Sequence, residues 1–298
     1  MVAHGRVFTP QYGALVLLSN SSVPLYLSID RVYRHNGSTV QLVEFEWRSD
    51  GASAAPTMGE VVESELSAPT VDEADYVQSI FRFKRTDGGT LIWNGFEGHP
   101  EPTALLELAS EGNSVLHVGP KTTYPAVLNM LLFGLLSVVA CNNGLLLHAS
   151  LVEYEGRAMA FTASSGTGKS TQADLWHDHL GAEIMNGDRA FIRRFEGEWR
   201  AYGSPWSGSS PYVRNVKAPL ASVVVLKQAP ENRIRRLNAV EVMAYLYNNV
   251  RYPFWDEEAT AASLETLDAL IGEIPIFLLE CRPDEEAVRI TRDAVFGK

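Results

Sequence analysis

The run Ala163-Ser164-Ser165-Gly166-Thr167-Gly168-Lys169-Ser170 constrains this chain more than any other feature. It has the spacing of a Walker A phosphate loop, with Ala163 where the first glycine usually stands. The stretch "RAMAFTA" before it reads as a strand. The stretch "KSTQADLWHDHL" after it reads as a helix, with Ala173, Trp176 and Leu180 at helical spacing on one face. A strand that turns through glycines into a helix aims backbone N–H groups and the positive helix end at one point. Gly166 and Gly168 supply the backbone freedom such a nest requires. Lys169 brings a mobile ammonium to β- and γ-phosphates, and Ser170 offers a hydroxyl to Mg²⁺. The expected phosphate contacts are therefore Ser165, Gly166, Thr167, Gly168, Lys169, Ser170 and Thr171.

The rest of the chain bounds what can surround this loop. A length of 298 residues suits one large domain or two ordinary ones. With 46% hydrophobic and 20% charged residues, the composition is that of a soluble globular protein, not a disordered one. A formal net charge of −11 argues against a nucleic-acid partner, since basic surface supplies most of such affinity. Cys141 and Cys281 sit in apolar runs and read as buried thiols of a reducing compartment. Residues 1–13 contain no apolar core of signal-peptide length. The run "AVLNMLLFGLLSVVAC" is shorter than the ~20 residues a spanning helix needs, and it reads as a buried helix. A cytoplasmic protein with no membrane partner is expected.

The first ~115 residues read as strands and turns: "GALVLLS", "PLYLSID", "TVQLVEFEWR" and a hairpin in "TALLELASEGNSVLHVG" turning at Glu111-Gly112-Asn113. In the third run Val40, Leu42 or Val43, Phe45 and Trp47 mark one buried face. Residues 49–75 are small and acidic and read as a solvated loop. Beyond Thr122-Thr123-Tyr124-Pro125 the pattern becomes strands alternating with helices. "LASVVVLKQ" and "IPIFLLECR" are near-continuous apolar strands, and Asp284 caps a final helix. The expected fold class is α/β, with a β-rich domain over residues 1–119 and a phosphate-loop domain over residues 120–298.

Two residues outside the loop belong with it by position. His148, in "LLLHASLV", lies one strand upstream, 21 residues before Lys169. Asp188, in "MNGDRAFI", follows a short strand 19 residues after Lys169. His148-Ala149-Ser150, then Ser165-Gly166-Thr167-Gly168-Lys169, then Gly187-Asp188 resembles the HPr kinase/phosphorylase and ATP-dependent phosphoenolpyruvate carboxykinase superfamily. The resemblance is close over residues 145–195, looser over the rest of the C-terminal domain, and does not reach the N-terminal half. The carboxykinases are much longer, and no arginine-lined site for oxaloacetate is recognisable. The HPr kinases and peptide serine kinases, including those of lasso-peptide pathways, are closer in size.

The resemblance implies a kinase domain that uses ATP and Mg²⁺ to transfer a γ-phosphoryl group to a serine hydroxyl of a peptide or small protein. A small-molecule acceptor such as free serine is the alternative within the fold. A nucleotide-binding regulator with little catalysis is the alternative outside it. The family commonly carries two adjacent aspartates after the loop, whereas this chain has Gly187-Asp188-Arg189. Either Asp188 holds Mg²⁺ and His148 takes the proton or orients Asp188, or Asp188 is the base while Ser170 and the phosphates hold the metal. The acceptor, the base preference and the oligomeric state stay open, an oligomer being compatible with the chain.

The segment 201–220, "AYGSPWSGSSPYVRNVKAPL", is a loop between strands that is a candidate part of the site. Trp206 and Tyr212 are candidates for stacking, against a reading of Trp206 as a buried anchor. Arg214 and Lys217 are candidates for neutralising phosphate charge in the transition state. His177 and His179 stand two apart on a helix and face different ways, so no metal site is expected there. "NNVRYPFWDEEA" reads as a packed connector.

Overall fold

The computed structural model describes residues 25–29, 41–49, 63–66, 79–86, 89–96, 104–109, 113–118, 124–204, 206–208 and 210–297. Among them the protein is mixed α/β, with five α-helices and two sheets. Two compact units emerge: residues 1–138 with 253–258, and residues 139–252 with 259–298.

The first unit holds a seven-stranded antiparallel sheet. Its strands are β1 (Leu25–Ile29), β2 (Gln41–Ser49), β3 (Glu63–Leu66), β4 (Ser79–Thr86), β5 (Gly89–Phe96), β6 (Ala104–Ala109) and β7 (Asn113–Val118). Their order is β1-β2-β7-β6-β5-β4-β3. The expected β6–β7 hairpin is present, with Ala104 opposite Val118 and Glu107 opposite Val115. Asn113, expected in its turn, is instead the first residue of β7. Ile92 on β5 faces Leu106 on β6, and both are fully buried. One expectation fails here, because residues 63–66 are strand and not loop. Glu63 and Glu65 lie on the outermost strand of the sheet, where charge is tolerated. The run "GALVLLS" and the rest of the acidic segment, residues 50–62 and 67–75, lie outside the described residues.

Helix α1 (Tyr124–Ala140) is apolar almost throughout, and Met130, Leu131, Leu132, Leu135 and Leu136 are buried. No helix among the described residues is long and apolar enough to cross a membrane. Trp255 packs edge-on against Phe133 at 5.2 Å and donates Nε1–H to Ser137 Oγ at 3.2 Å. The aromatic connector is therefore anchored by its tryptophan.

The second unit contains β8 (Gly144–Tyr154), β9 (Arg157–Thr162), α2 (Lys169–Leu180), β10 (Glu183–Asn186), β11 (Arg189–Phe195), β12 (Glu198–Tyr202) and β13 (Lys217–Gln228). It continues with β14 (Arg233–Arg236), α3 (Ala239–Leu246), a 3-10 turn (Tyr247–Asn249), β15 (Val250–Arg251), α4 (Glu257–Glu273), β16 (Ile276–Cys281) and α5 (Glu285–Phe296). The long strands β8 and β13 are each shared by several partners. β8 pairs through its first half with β11 and through its second half with β9. β13 pairs first with β12 and then with β9 and β16. The pairings β8–β11–β12–β13–β9–β8 therefore close on themselves. Among the described residues only β13–β9 and β13–β16 are parallel.

β10 to β13 follow one another without a helix. Glu155-Gly156, between β8 and β9, and Glu196-Gly197, between β11 and β12, each place two consecutive residues at positive φ, the backbone of a two-residue hairpin turn. The apolar strands are covered on both sides, as their continuous hydrophobicity predicts. Leu147, Ala149, Ala160, Val223 and Val225 pack with Val242 and Leu246 of α3 and Leu267 and Leu270 of α4. Met159, Phe161, Val224 and Leu226 pack with Ala173 and Trp176 of α2 and Ala287 and Val288 of α5.

The expectation of two buried thiols is also corrected. Cys281 is buried, but Cys141 lies just past α1 in the turn to β8 and is exposed, and the two are not bonded to each other. Burial lifts the Cys281 thiol to about 11, against a hydrogen bond from Gln172 that lowers it.

Asp284 caps α5, its carboxylate accepting from Ala287 N at 3.1 Å and from Asn232 Nδ2 at 2.8 Å. Asp284→Ala should lower unfolding free energy by about 1 kcal/mol in a urea titration, with little change in slope.

Candidate functional site

The candidate phosphate loop leaves the end of β9 and enters α2 at Gly168. Gly166 and Gly168 take φ of 75° and 114°, angles closed to most side-chain-bearing residues. Ala163 is not at positive φ, so its methyl is tolerated where a glycine is usual. No side chain caps α2, which leaves its first-turn amides directed at the loop. Ser164, Ser165, Gly166, Ser170 and Thr171 face solvent, while Thr167 and Gly168 are half-buried.

Lys169 is only 7% exposed, and its Nζ donates to the carbonyls of Ala163 at 3.1 Å and Ser164 at 3.4 Å. Desolvation holds its pKa below the ordinary lysine value, and the negative charge of Asp188 opposes that shift. The two groups are therefore close enough to feel each other.

His148 and Asp188 are in direct contact, with Nε2 2.9 Å from Oδ1. Three further bonds fix this pair beside the loop. Ala149 N donates to Asp188 O at 2.9 Å, Ser150 Oγ to Gly187 O at 2.8 Å, and Thr162 Oγ1 to His148 O at 2.9 Å. Because Ala149 stands opposite Thr162, the residue before the loop, His148 emerges at the loop's base. Burial pushes the Asp188 carboxyl up, but the hydrogen bond and charge of His148, joined by Arg189, outweigh it. The carboxyl is held below its usual range.

Sequence reasoning missed the residue that shapes this corner. Asn186 is fully buried. Its Oδ1 accepts from Asp188 N at 2.9 Å and Arg189 N at 2.7 Å, and its Nδ2 donates to Ser204 O at 2.9 Å and Trp206 O at 3.1 Å. One amide thus ties the turn bearing Asp188 to the loop over residues 203–216. That loop packs closely on the turn. A Cβ on Gly208 would stand 3.0 Å from the Asp188 carboxylate, and one on Gly187 would coincide with the Ser210 side chain. The space beside Gly187, one of the two positions (with Arg189) where the resemblance would place a second aspartate, is filled by Ser210. The only sequence signal was the "NGD" turn itself, which does not distinguish a buried asparagine from an exposed one.

The candidates from that loop are placed as follows. Trp206 is 4% exposed and packs against Phe191 at 6.1 Å, so it is an anchor within the fold. Tyr212 is exposed and hydrogen-bonds Asp174 of α2. Arg214 is 42% exposed and pairs with Glu183 at the start of β10. Lys217 begins β13, where it feels Arg200. The cation brought to Asp188 is Arg189, its Nε 3.4 Å from Oδ2. His177 Nδ1 lies 2.9 Å from Ala182 O. No cluster of three or more His, Cys, Asp or Glu residues fit for a metal occurs among the described residues.

A family model described as "SynChlorMet cassette protein ScmC" matches residues 120–282, more than half of the chain. No curated protein matches the chain. The solved Hpr(Ser) kinase/phosphatase from Coxiella burnetii is similar over 51% of this chain and 93% of that one, at 11% identity. Its TM-score of 0.30 is too low to transfer a fold or an activity.

Two predictions follow from the Asp188 corner. Asn186→Ala leaves the part-buried amides of Asp188 and Arg189 and the buried Ser204 carbonyl short of a partner and should cost about 1–3 kcal/mol in chemical denaturation. Asp188 has a folded pKa below its unfolded value of about 3.9, so its contribution to stability is present above that pH and is lost as pH falls through the folded value. Melting temperature against pH should therefore fall less steeply below pH ~4 in Asp188→Asn than in the wild type.

Proposed function

The chain belongs to the SynChlorMet cassette protein ScmC family, and we propose that it is an ATP- and Mg²⁺-dependent kinase that phosphorylates a serine hydroxyl of a peptide or small protein. One observation carries this reading. The His148–Asp188 pair is fixed by backbone bonds at the base of a phosphate loop whose lysine senses the Asp188 charge. A loop alone serves kinases, hydrolases and motors alike. A carboxylate positioned beside it is what transfer to a hydroxyl needs.

In this reading the amides from Ser165 to Thr171 and the first turn of α2 hold the phosphates. Lys169 turns from the carbonyls of Ala163 and Ser164 toward the phosphate oxygens. Asp188 stays ionised at neutral pH and faces the acceptor. The acceptor oxygen bonds to the γ-phosphorus as its bond to the bridging oxygen breaks, and the hydroxyl proton passes to Asp188. His148 holds the carboxylate in place. Arg189 offers a guanidinium in the role first considered for Arg214.

The donor set suits Mg²⁺, which commonly takes one or two carboxylates and substrate phosphates in place of an all-protein cage. With Asp188 as the base, Ser170 and the phosphates would hold it; in the alternative in which His148 takes the proton, Asp188 would join Ser170, and in either case it would neutralise charge on the phosphate oxygens.

The test is transfer of label from γ-labelled ATP with Mg²⁺ into a lysate of the source organism. A labelled polypeptide is expected with the wild type and not with Lys169→Ala, and Asp188→Asn should transfer at least ~100-fold more slowly. Equal labelling by Lys169→Ala overturns the kinase reading. Label confined to small molecules moves the acceptor class, and tight ATP binding with no transfer indicates a regulator.

A further inference from the structure

No motif in the sequence reads a nucleotide base. A cleft of about 560 Å³ opens beside the first half of the phosphate loop. Besides the loop, its walls come from residues 225–228 at the end of β13, Lys227 among them, Ala244 and Tyr245 of α3, and Asn248 and Asn249 of the 3-10 turn. The volume falls within the range of small-molecule sites, roughly 300–1,000 Å³. It also lies at the carboxyl ends of the parallel strands β9 and β13, where α/β sheets commonly take ligands.

Strand order determines which part of a ligand this cleft can receive. Thr162, the last residue of β9, has Ala149 of β8 on one side and Val225 of β13 on the other. His148 and Asp188 emerge on the β8 side, whereas the cleft is on the β13 side. A polyphosphate laid across the loop with its transferring end at Asp188 has its other end over the cleft. The acceptor must reach Asp188 and so belongs on the opposite side.

We propose that this cleft is the nucleoside subsite, seating the sugar and base of the nucleotide between Gln228, Tyr245, Asn248 and Asn249. The inference rests on the phosphate-loop reading above. The chemistry of the walls suits a heteroaromatic ring. Tyr245 supplies a partly buried ring packed on the core. Three carboxamides supply paired donors and acceptors of the kind that read a base edge. Gln228 Nε2 reaches Thr167 O at 3.4 Å, so it links this wall to the loop. Asn249 Nδ2 donates to Tyr245 O at 2.7 Å, which orients its carboxamide oxygen. Asn248 is exposed at the rim. The capping box of Asn238 and Glu241 fixes the start of α3, the helix that carries the wall.

The experiment is calorimetric titration of the full chain with Mg-ATP and, separately, Mg-tripolyphosphate, which has the phosphates and no nucleoside. The wild type should bind ATP at least about tenfold more tightly, a difference of about 1.4 kcal/mol. Ala244→Phe, which fills the cleft from an exposed helix position, should erase that preference while leaving tripolyphosphate binding within twofold. Asn248→Ala should narrow it, and retained tripolyphosphate binding reports that each variant is folded. Equal affinity of the wild type for both ligands, or variants that weaken both alike, overturns the nucleoside subsite and leaves the phosphate loop standing. Failure of the wild type to bind either ligand overturns the phosphate-loop reading itself.

Discussion

The structure of the site depends on one long strand, β8, whose two edges hold the two halves of the site. One edge pairs with β10 and then β11, with Asn186 opposite Leu151 and Arg189 opposite His148, and from Ala149 on the other edge pairs with β9. At the midpoint Ala149 N bonds Asp188 O on the first edge and His148 O accepts from Thr162 Oγ1 on the second. Asp188, which follows β10, and the phosphate loop, which follows β9, are thereby brought to adjoining points of a single strand. Hairpin turns at Glu155-Gly156 and Glu196-Gly197 set the registers on either side. A slip of one residue in β8 would turn His148 to the opposite face, where Leu147 and Ala149 form the core.

At position 187 packing leaves no room for a second carboxylate. The loop over residues 203–216 is bound to the turn by the Asn186 amide and by Ser204 Oγ, which donates to Arg189 O at 3.0 Å. With Ser210 standing where a Gly187 side chain would project, a second aspartate requires this loop to move. Gly208, at φ 59° and 3.0 Å from the Asp188 carboxylate by its missing Cβ, closes the other side. These contacts seat the Asp188 carboxylate, a quarter exposed, between this loop and His148.

What was legible in the sequence was local. The glycines of the phosphate loop, the helix from Lys169 to Leu180, the β6–β7 hairpin and the Asp284 cap each rest on residues a few positions apart. Helix α4 was not legible, because Ala259, Ser263 and Thr266 are among its buried residues and give a weak apolar stripe. The edge strand β14, Arg-Ile-Arg-Arg, carries almost no hydrophobic signal. At the site, residue types were readable but contacts were not. A cation near Asp188 was a reasonable expectation, yet Arg214 and Arg189 differ only in where the sheet sends them. Asn186 meets Ser204 and Trp206 across separations of 18 and 20 residues, beyond the reach of any local pattern.

Charge distribution makes the same argument as geometry. Lys169 is buried against two carbonyl oxygens, an arrangement that solvates an ammonium poorly compared with water. The amide end of α2 adds positive potential at the same place. Arg189, itself lowered in pKa by desolvation, stands beside Asp188 and is close enough to Arg251 to feel its charge. Against these groups the corner sets one carboxylate, already shared by His148 and Arg189. In a chain with a net charge of −11, so local a positive excess is a property of the site and not of the surface. A polyanion reaching from the α2 amides to Arg189 would neutralise all of it at once, and a nucleotide's phosphate chain has that form.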